Sequence, residues 1–155
     1  MVNIIEAVRD FLDADDWHYD YNAEKQIIEC GAKVKCKLKN IRLLISFNDK
    51  GYTVFARIPI SAEEDTMNDV MRYITMANYG LRNGNFELDV RDGELRYKVY
   101  TNCADLEELP KRMIQDSIYI PWIMVERYGN GLAALCMGFS TPDEEIKKAE
   151  GNGED

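Results

Sequence analysis

The chain has 155 residues, a formal charge of −9 from 19 basic and 28 acidic side chains, and a composition that is 46% hydrophobic and 30% charged with four prolines. That size suits one domain able to bury roughly two-thirds of the surface of its unfolded form, and the composition excludes disordered, fibrous and membrane-spanning classes. The excess of carboxylates repels phosphate backbones and anionic lipid at long range, so neither nucleic acid nor a membrane is the expected partner.

The opening Met1-Val2-Asn3-Ile4-Ile5-Glu6 lacks the basic start and apolar run of a secretion signal, so a cytoplasmic location with reduced thiols is expected. Cys30, Cys36, Cys103 and Cys136 contain no Cys-x-x-Cys pair, and His18 is the single histidine, so neither a metal site nor a cofactor is expected. Cys36 and Cys136 read as small core or edge residues, and His18 as a strand residue.

Ile4, Ile5, Val8, Phe11 and Leu12 recur at helical spacing behind a capping box of Asn3 and Glu6, which predicts a first amphipathic helix. Trp17 to Tyr21 alternates aromatic and polar residues, and Gln26 to Leu38 continues in a strand-like way. Within it Lys33, Lys35, Lys37 and Lys39 alternate along one face. Nucleic-acid binding is the sharp reading of such a run, but no aromatics interleave for base stacking, and lysines guarding a sheet edge are the favoured reading. Ile41, Leu43, Ile45 and Phe47, the turn Asn48-Asp49-Lys50-Gly51, then Tyr52, Val54, Ala56, Ile58 and Ile60 predict a hairpin with one buried face.

Ser61 and Glu64 have capping-box spacing before the stripe Met67, Val70, Met71, Ile74, Ala77 and Leu81, which predicts a second helix with Glu63-Glu64-Asp65 in its first turn, where the helix dipole favours carboxylates. Asp92-Gly93 then calls for a two-residue hairpin loop, pairing Val90 with Leu95, Asp89 with Arg96, Leu88 with Tyr97, Glu87 with Lys98 and Phe86 with Val99. One face of this hairpin is apolar. The other is a ladder of opposite charges that reads as a solvated face rather than as paired catalytic carboxylates, since each acid has a cation opposite.

Asp105 and Glu108 suggest a further capping box, before a long helix through Leu109, Met113, Ile114, Ile118, Trp122, Val125, Leu132, Leu135 and Cys136 that closes at Gly138. Pro121 is expected to kink or break it, and Gly129-Asn130-Gly131 to interrupt it; the latter has neither the preceding strand nor the spacing of a phosphate-binding loop. Thr141-Pro142-Asp143-Glu144 starts a short last helix, which leads into the polar tail Gly151 to Asp155, expected to be disordered. One domain over residues 1–150 accounts for the whole pattern. Around Pro121 the residues Tyr119, Ile120, Trp122, Ile123 and Met124 make the helix apolar on more than one side. The surplus surface belongs either to a core wrapped by the first helix or to a second subunit or partner segment; these five residues are the candidate partner or dimer contacts.

GNFELDVRDGELRYKV from Gly84 to Val99 and GFSTPDEEIKKAE from Gly138 to Glu150, in an order of helix, strands, helix, hairpin and helix, resemble the bacterial YbjN-like family, described as sensory transduction regulators and similar in fold to the class I type III secretion chaperones. The resemblance implies an α+β fold with a five-stranded antiparallel sheet and helices on one face, a tendency to dimerise, and binding of other proteins; the family offers no catalytic residues. The expected function is therefore non-enzymatic: a dimeric module that holds a partner or client polypeptide. A small-molecule sensor with a pocket around Trp122, Tyr128 and Tyr97, opened by the kinked helix, is the alternative.

Overall fold

Alternation of apolar and polar residues needs a sheet with one dry face, and the computed structural model, which describes residues 1–151, supplies one. Six antiparallel strands lie in the order β1-β2-β3-β4-β6-β5: β1 (Tyr19–Asn22), β2 (Ile27–Lys33), β3 (Asn40–Asn48), β4 (Gly51–Ser61), β5 (Asn85–Leu88) and β6 (Glu94–Asn102). The helices are α1 (Ile4–Ala14), α2 (Met67–Tyr79), α3 (Lys111–Cys136) and α4 (Pro142–Ala149). The α+β class and the antiparallel sheet agree with expectation. The strand count does not: six strands replace five, because Tyr19–Asn22 pairs with Ile27–Cys30 as a hairpin of its own.

The inward side chains Ile28, Leu43, Ile45, Val54, Ala56, Leu95, Tyr97 and Val99 join Val8 and Leu12 of α1, Val70 and Tyr73 of α2, and Ile118, Val125 and Leu132 of α3 in one buried cluster. Asn3 caps α1 by accepting the Glu6 N–H at 3.1 Å, and Thr141 caps α4 by accepting the Glu144 N–H, with Pro142 at the first helical position. The other two boxes do not form. Ser61 is the last residue of β4 and pairs with Glu94, so Glu63 to Thr66 make a turn and α2 starts only at Met67, after the acidic run. Leu109 precedes a proline, which disfavours helical backbone there, and α3 starts after Pro110.

The DG hairpin keeps its faces but shifts its register by two residues: Leu88 pairs with Leu95, Phe86 with Tyr97 and Glu87 with Arg96. The Asp89 carboxylate takes the Arg91 N–H, Asp92 takes the Glu94 N–H, and Gly93 adopts φ +81°, so Val90 is drawn into a longer loop and exposed. An even shift moves no side chain to the other face.

Beyond Lys33 the alternation persists without a strand. Residues 34–39 form a loop that lays Val34, Cys36 and Leu38 towards the core and leaves the lysines outside. Its backbone is tied to α3, with Glu126 accepting the Lys35 N–H at 3.0 Å and Asn130 accepting the Lys37 N–H at 2.8 Å. The edge reading of these lysines is thereby corrected, since only Lys33 lies in a strand. His18 stands just before β1. The helix α3 runs unbroken through Pro121, which is buried between Ile118 and Val125; tertiary packing outweighs the lost backbone hydrogen bond. Gly129 and Gly131 do not interrupt it either. A Cβ at 129 would lie 2.7 Å from the Cys36 sulfur, and one at 131 would strike the Tyr73 hydroxyl, so the two glycines are notches for the loop and for Tyr73. The helix closes with Gly138 at φ +74°. The tail expectation falls, apart from Gly151, outside the described residues.

Candidate functional site

No outward side chain of the sheet is buried. Cross-strand register puts Arg42 opposite Arg57 and Arg57 opposite Arg96, a row of three arginines on adjacent strands. Like charges directly opposite repel, so the row needs counter-charges. They come from beside it: Glu29 to Arg42 at 3.1 Å, Glu94 to Arg57 at 3.2 Å, and Glu87 to Arg96 at 2.7 Å, with Glu87 also holding Lys98 at 2.7 Å. Partial burial opposes ionisation of Glu87, but hydrogen bonds from Lys98 and Arg96 outweigh it and hold the carboxyl below its ordinary range. The next row across the sheet runs Glu29, Leu44, Phe55 and Lys98, and the one beyond it Ile27, Ser46, Thr53 and Tyr100, so apolar and aromatic side chains stand among polar ones. Ile27, Leu44 and Phe55 are half-buried, Tyr100 is 49% exposed, and the Arg96 guanidinium lies 4.4 Å over the Phe55 ring.

On the helical side a groove of about 750 Å³ runs between α1 and the start of α3. Its floor is Ala7, Phe11, Ala14, Leu109 and Ile114; its rim carries Asp10, Asp15, Glu107 and Glu108. Ala7, Phe11 and Ala14 form one stripe of α1, next to the stripe of Val8 and Leu12 that enters the core. Beyond Asp15 three aromatic rings meet. Tyr119 stacks on Trp122 at 5.6 Å, Trp17 stands edge-on to both, Trp122 donates to the Lys33 carbonyl at 2.8 Å, and Asp15 accepts from Trp17 and from the Tyr119 hydroxyl. Burial and the Asp15 carboxylate both raise the Tyr119 pKa.

Of the five candidate contacts on α3, Tyr119 and Trp122 are therefore brought together and engaged within the chain, Ile120 and Met124 are half-buried against the core, and Ile123 is 51% exposed. Sequence reasoning passed over the arginine row and over Asp15 and Trp17 as partners of α3. The place assigned to a sensor pocket is filled: Phe86 packs edge-on to Tyr97 at 4.9 Å and to Tyr128 at 5.5 Å, while Trp122 lies in the other cluster. Burial pushes the thiols of Cys30 and Cys136 up to about 11 and that of Cys103 up as well, so all three are protonated at neutral pH.

No family model matches this chain, and no curated protein matches it. Among the described residues no group of three His, Cys, Asp or Glu side chains is placed to hold a metal ion, and no helix is long and apolar enough to cross a membrane.

Proposed function

We propose that the chain is a cytoplasmic, non-enzymatic protein-interaction module of the YbjN-like, type III secretion chaperone-like kind, working as a homodimer that holds a segment of a partner polypeptide. The observation that carries this reading is the open outer face of the sheet, where Ile27, Leu44, Phe55 and Tyr100 lie beside rows of both charges. Its outward positions hold five cations (Lys33, Arg42, Arg57, Arg96 and Lys98) and four carboxylates (Asp20, Glu29, Glu87 and Glu94). The remainder of the chain therefore carries all of the net −9 and one negative charge more. Two copies that met through the remaining surface would oppose negative to negative; two that met through this face would oppose a nearly neutral, self-complementary surface to itself. Ile123 on α3, with Ile120 and Met124 beside it, offers a second apolar contact for the partner segment.

The buried Cys30 and half-buried Cys136 thiols held in protonated form, and carboxylates neutralised by adjacent arginines, favour a binding role over nucleophilic or acid–base chemistry. Sedimentation velocity of the native protein and of Leu44→Glu and Phe55→Glu tests the reading. It predicts a wild-type dimer and monomeric variants with unchanged circular dichroism; a monomeric wild type at high concentration contradicts it.

A further inference from the structure

We infer that the groove between α1 and α3 takes a basic amphipathic helix of a partner protein, an inference that names the partner segment of the proposed interaction module. Three features of the groove point to that occupant. The first is shape: α1 turns a complete stripe, Ala7, Phe11 and Ala14, towards the groove, with two alanines flanking one ring, and the chain 107–114 forms the opposite wall. A recess of about 750 Å³ between two walls, one of them a three-turn helix, is the form that accepts an apolar helix stripe read at every third and fourth residue.

The second is charge. Carboxylates stand on both walls, Asp10 and Asp15 on α1 and Glu107 and Glu108 opposite, against Lys111 and the amino terminus, and the amino terminus is already paired with Glu107 at 3.5 Å. Asp10 and Glu108 are exposed and have no ion-pair partner among the described residues. The third is the exclusion of nearer occupants by the same rim. The segment Gly151 to Asp155 holds two acidic and no basic side chains, and a second copy brings −9, so both carry the sign of the rim. A helix with lysines or arginines on either side of its apolar stripe satisfies floor and rim together.

The test uses the full chain and two fluorescein-labelled peptides of identical composition: one with a leucine stripe flanked by lysines in helical register, the other with the same residues scrambled. Fluorescence anisotropy is read at low and at physiological salt for the wild type, for the double variant Asp10→Lys with Glu108→Lys, and for Ala14→Trp, which fills the floor at an exposed position. The expected result is tighter binding of the striped peptide than of the scrambled one, weakened about tenfold or more by the double reversal, since two attractive contacts become repulsive. Ala14→Trp is expected to abolish the difference between the peptides. Equal binding of both peptides overturns the inference, because it shows mere attraction to an acidic protein; so does binding that the rim variants leave unchanged. Sedimentation of the double variant separates this result from the dimer: an altered subunit number assigns the groove to a second copy and overturns the inference, whereas loss of the dimer in Leu44→Glu with peptide binding intact leaves it standing.

Discussion

Substituting Gly131 by alanine sets two effects of opposite sign against each other. Inside an exposed helix the change adds about 1 kcal/mol of stability, because glycine loses the most backbone freedom on folding. In α3 the new methyl would lie 2.6 Å from Cζ of Tyr73 and closer still to its hydroxyl oxygen, and that ring is fully buried. The ring cannot retreat without breaking the hydrogen bond that its hydroxyl donates to the Tyr128 carbonyl at 2.9 Å. Overpacking costs about 1–3 kcal/mol and a buried unsatisfied donor about 1–3 kcal/mol more. Net of the helix gain, Gly131→Ala is expected to destabilise the fold by roughly 1–5 kcal/mol. Gly80→Ala is the control: its Cβ meets nothing within 4 Å, and it should be neutral or stabilising by up to about 1 kcal/mol. Urea unfolding followed by far-ultraviolet circular dichroism reads both. A Gly131→Ala protein as stable as the wild type would refute the notch and, with it, the account of why the glycines stand in the helix.

Asp89, hydrogen-bonded to the Arg91 side chain and backbone N–H, has its pKa lowered from 3.8 to about 2. A depressed carboxyl adds stability that is present above its unfolded value and is lost as pH falls from near 4 towards 2; carbon-detected NMR titration should show the low value in the wild type and a return upward in Arg91→Ala. Iodoacetamide at pH 8 should leave Cys30 and Cys136 unmodified in the native protein over a time that alkylates them fully in urea, and rapid native labelling of either would contradict their raised pKa values. Thr141→Ala, which removes the cap on α4, should cost about 0.5–1 kcal/mol, with Thr141→Ser restoring most of it in the same urea assay.

Much of the fold is legible because the signals that carry it are short-range. The Asn3 and Thr141 caps and the β3–β4 hairpin each depend on residues a few positions apart, and each forms as its residues predict. Where two local signals compete, the stiffer wins: Pro110 overrides the Asp105–Glu108 spacing, and strand pairing of Ser61 overrides its capping role. The side chains of Asp89 and Asp92 enlarge the DG loop, a choice that Asp92-Gly93 alone does not reveal. Gly129 and Gly131 read as breakers because the atoms that need the space, on Cys36 and Tyr73, are distant in sequence. The same distance hid the candidate surfaces. The arginine row exists only once the β3–β4 and β4–β6 registers are combined, and the groove only once α1 is set beside α3, although one wall of it, with Asp10, Asp15 and the alanine–phenylalanine stripe, is plain in the first fifteen residues.

In the proposed dimer the outer sheet face of one copy lies against that of a second. Sedimentation velocity over a wide concentration range reads this, with a dimer expected for the wild type and a folded monomer for Phe55→Glu. A wild type that stays monomeric, or a Phe55→Glu variant that dimerises as well as the wild type, would contradict it.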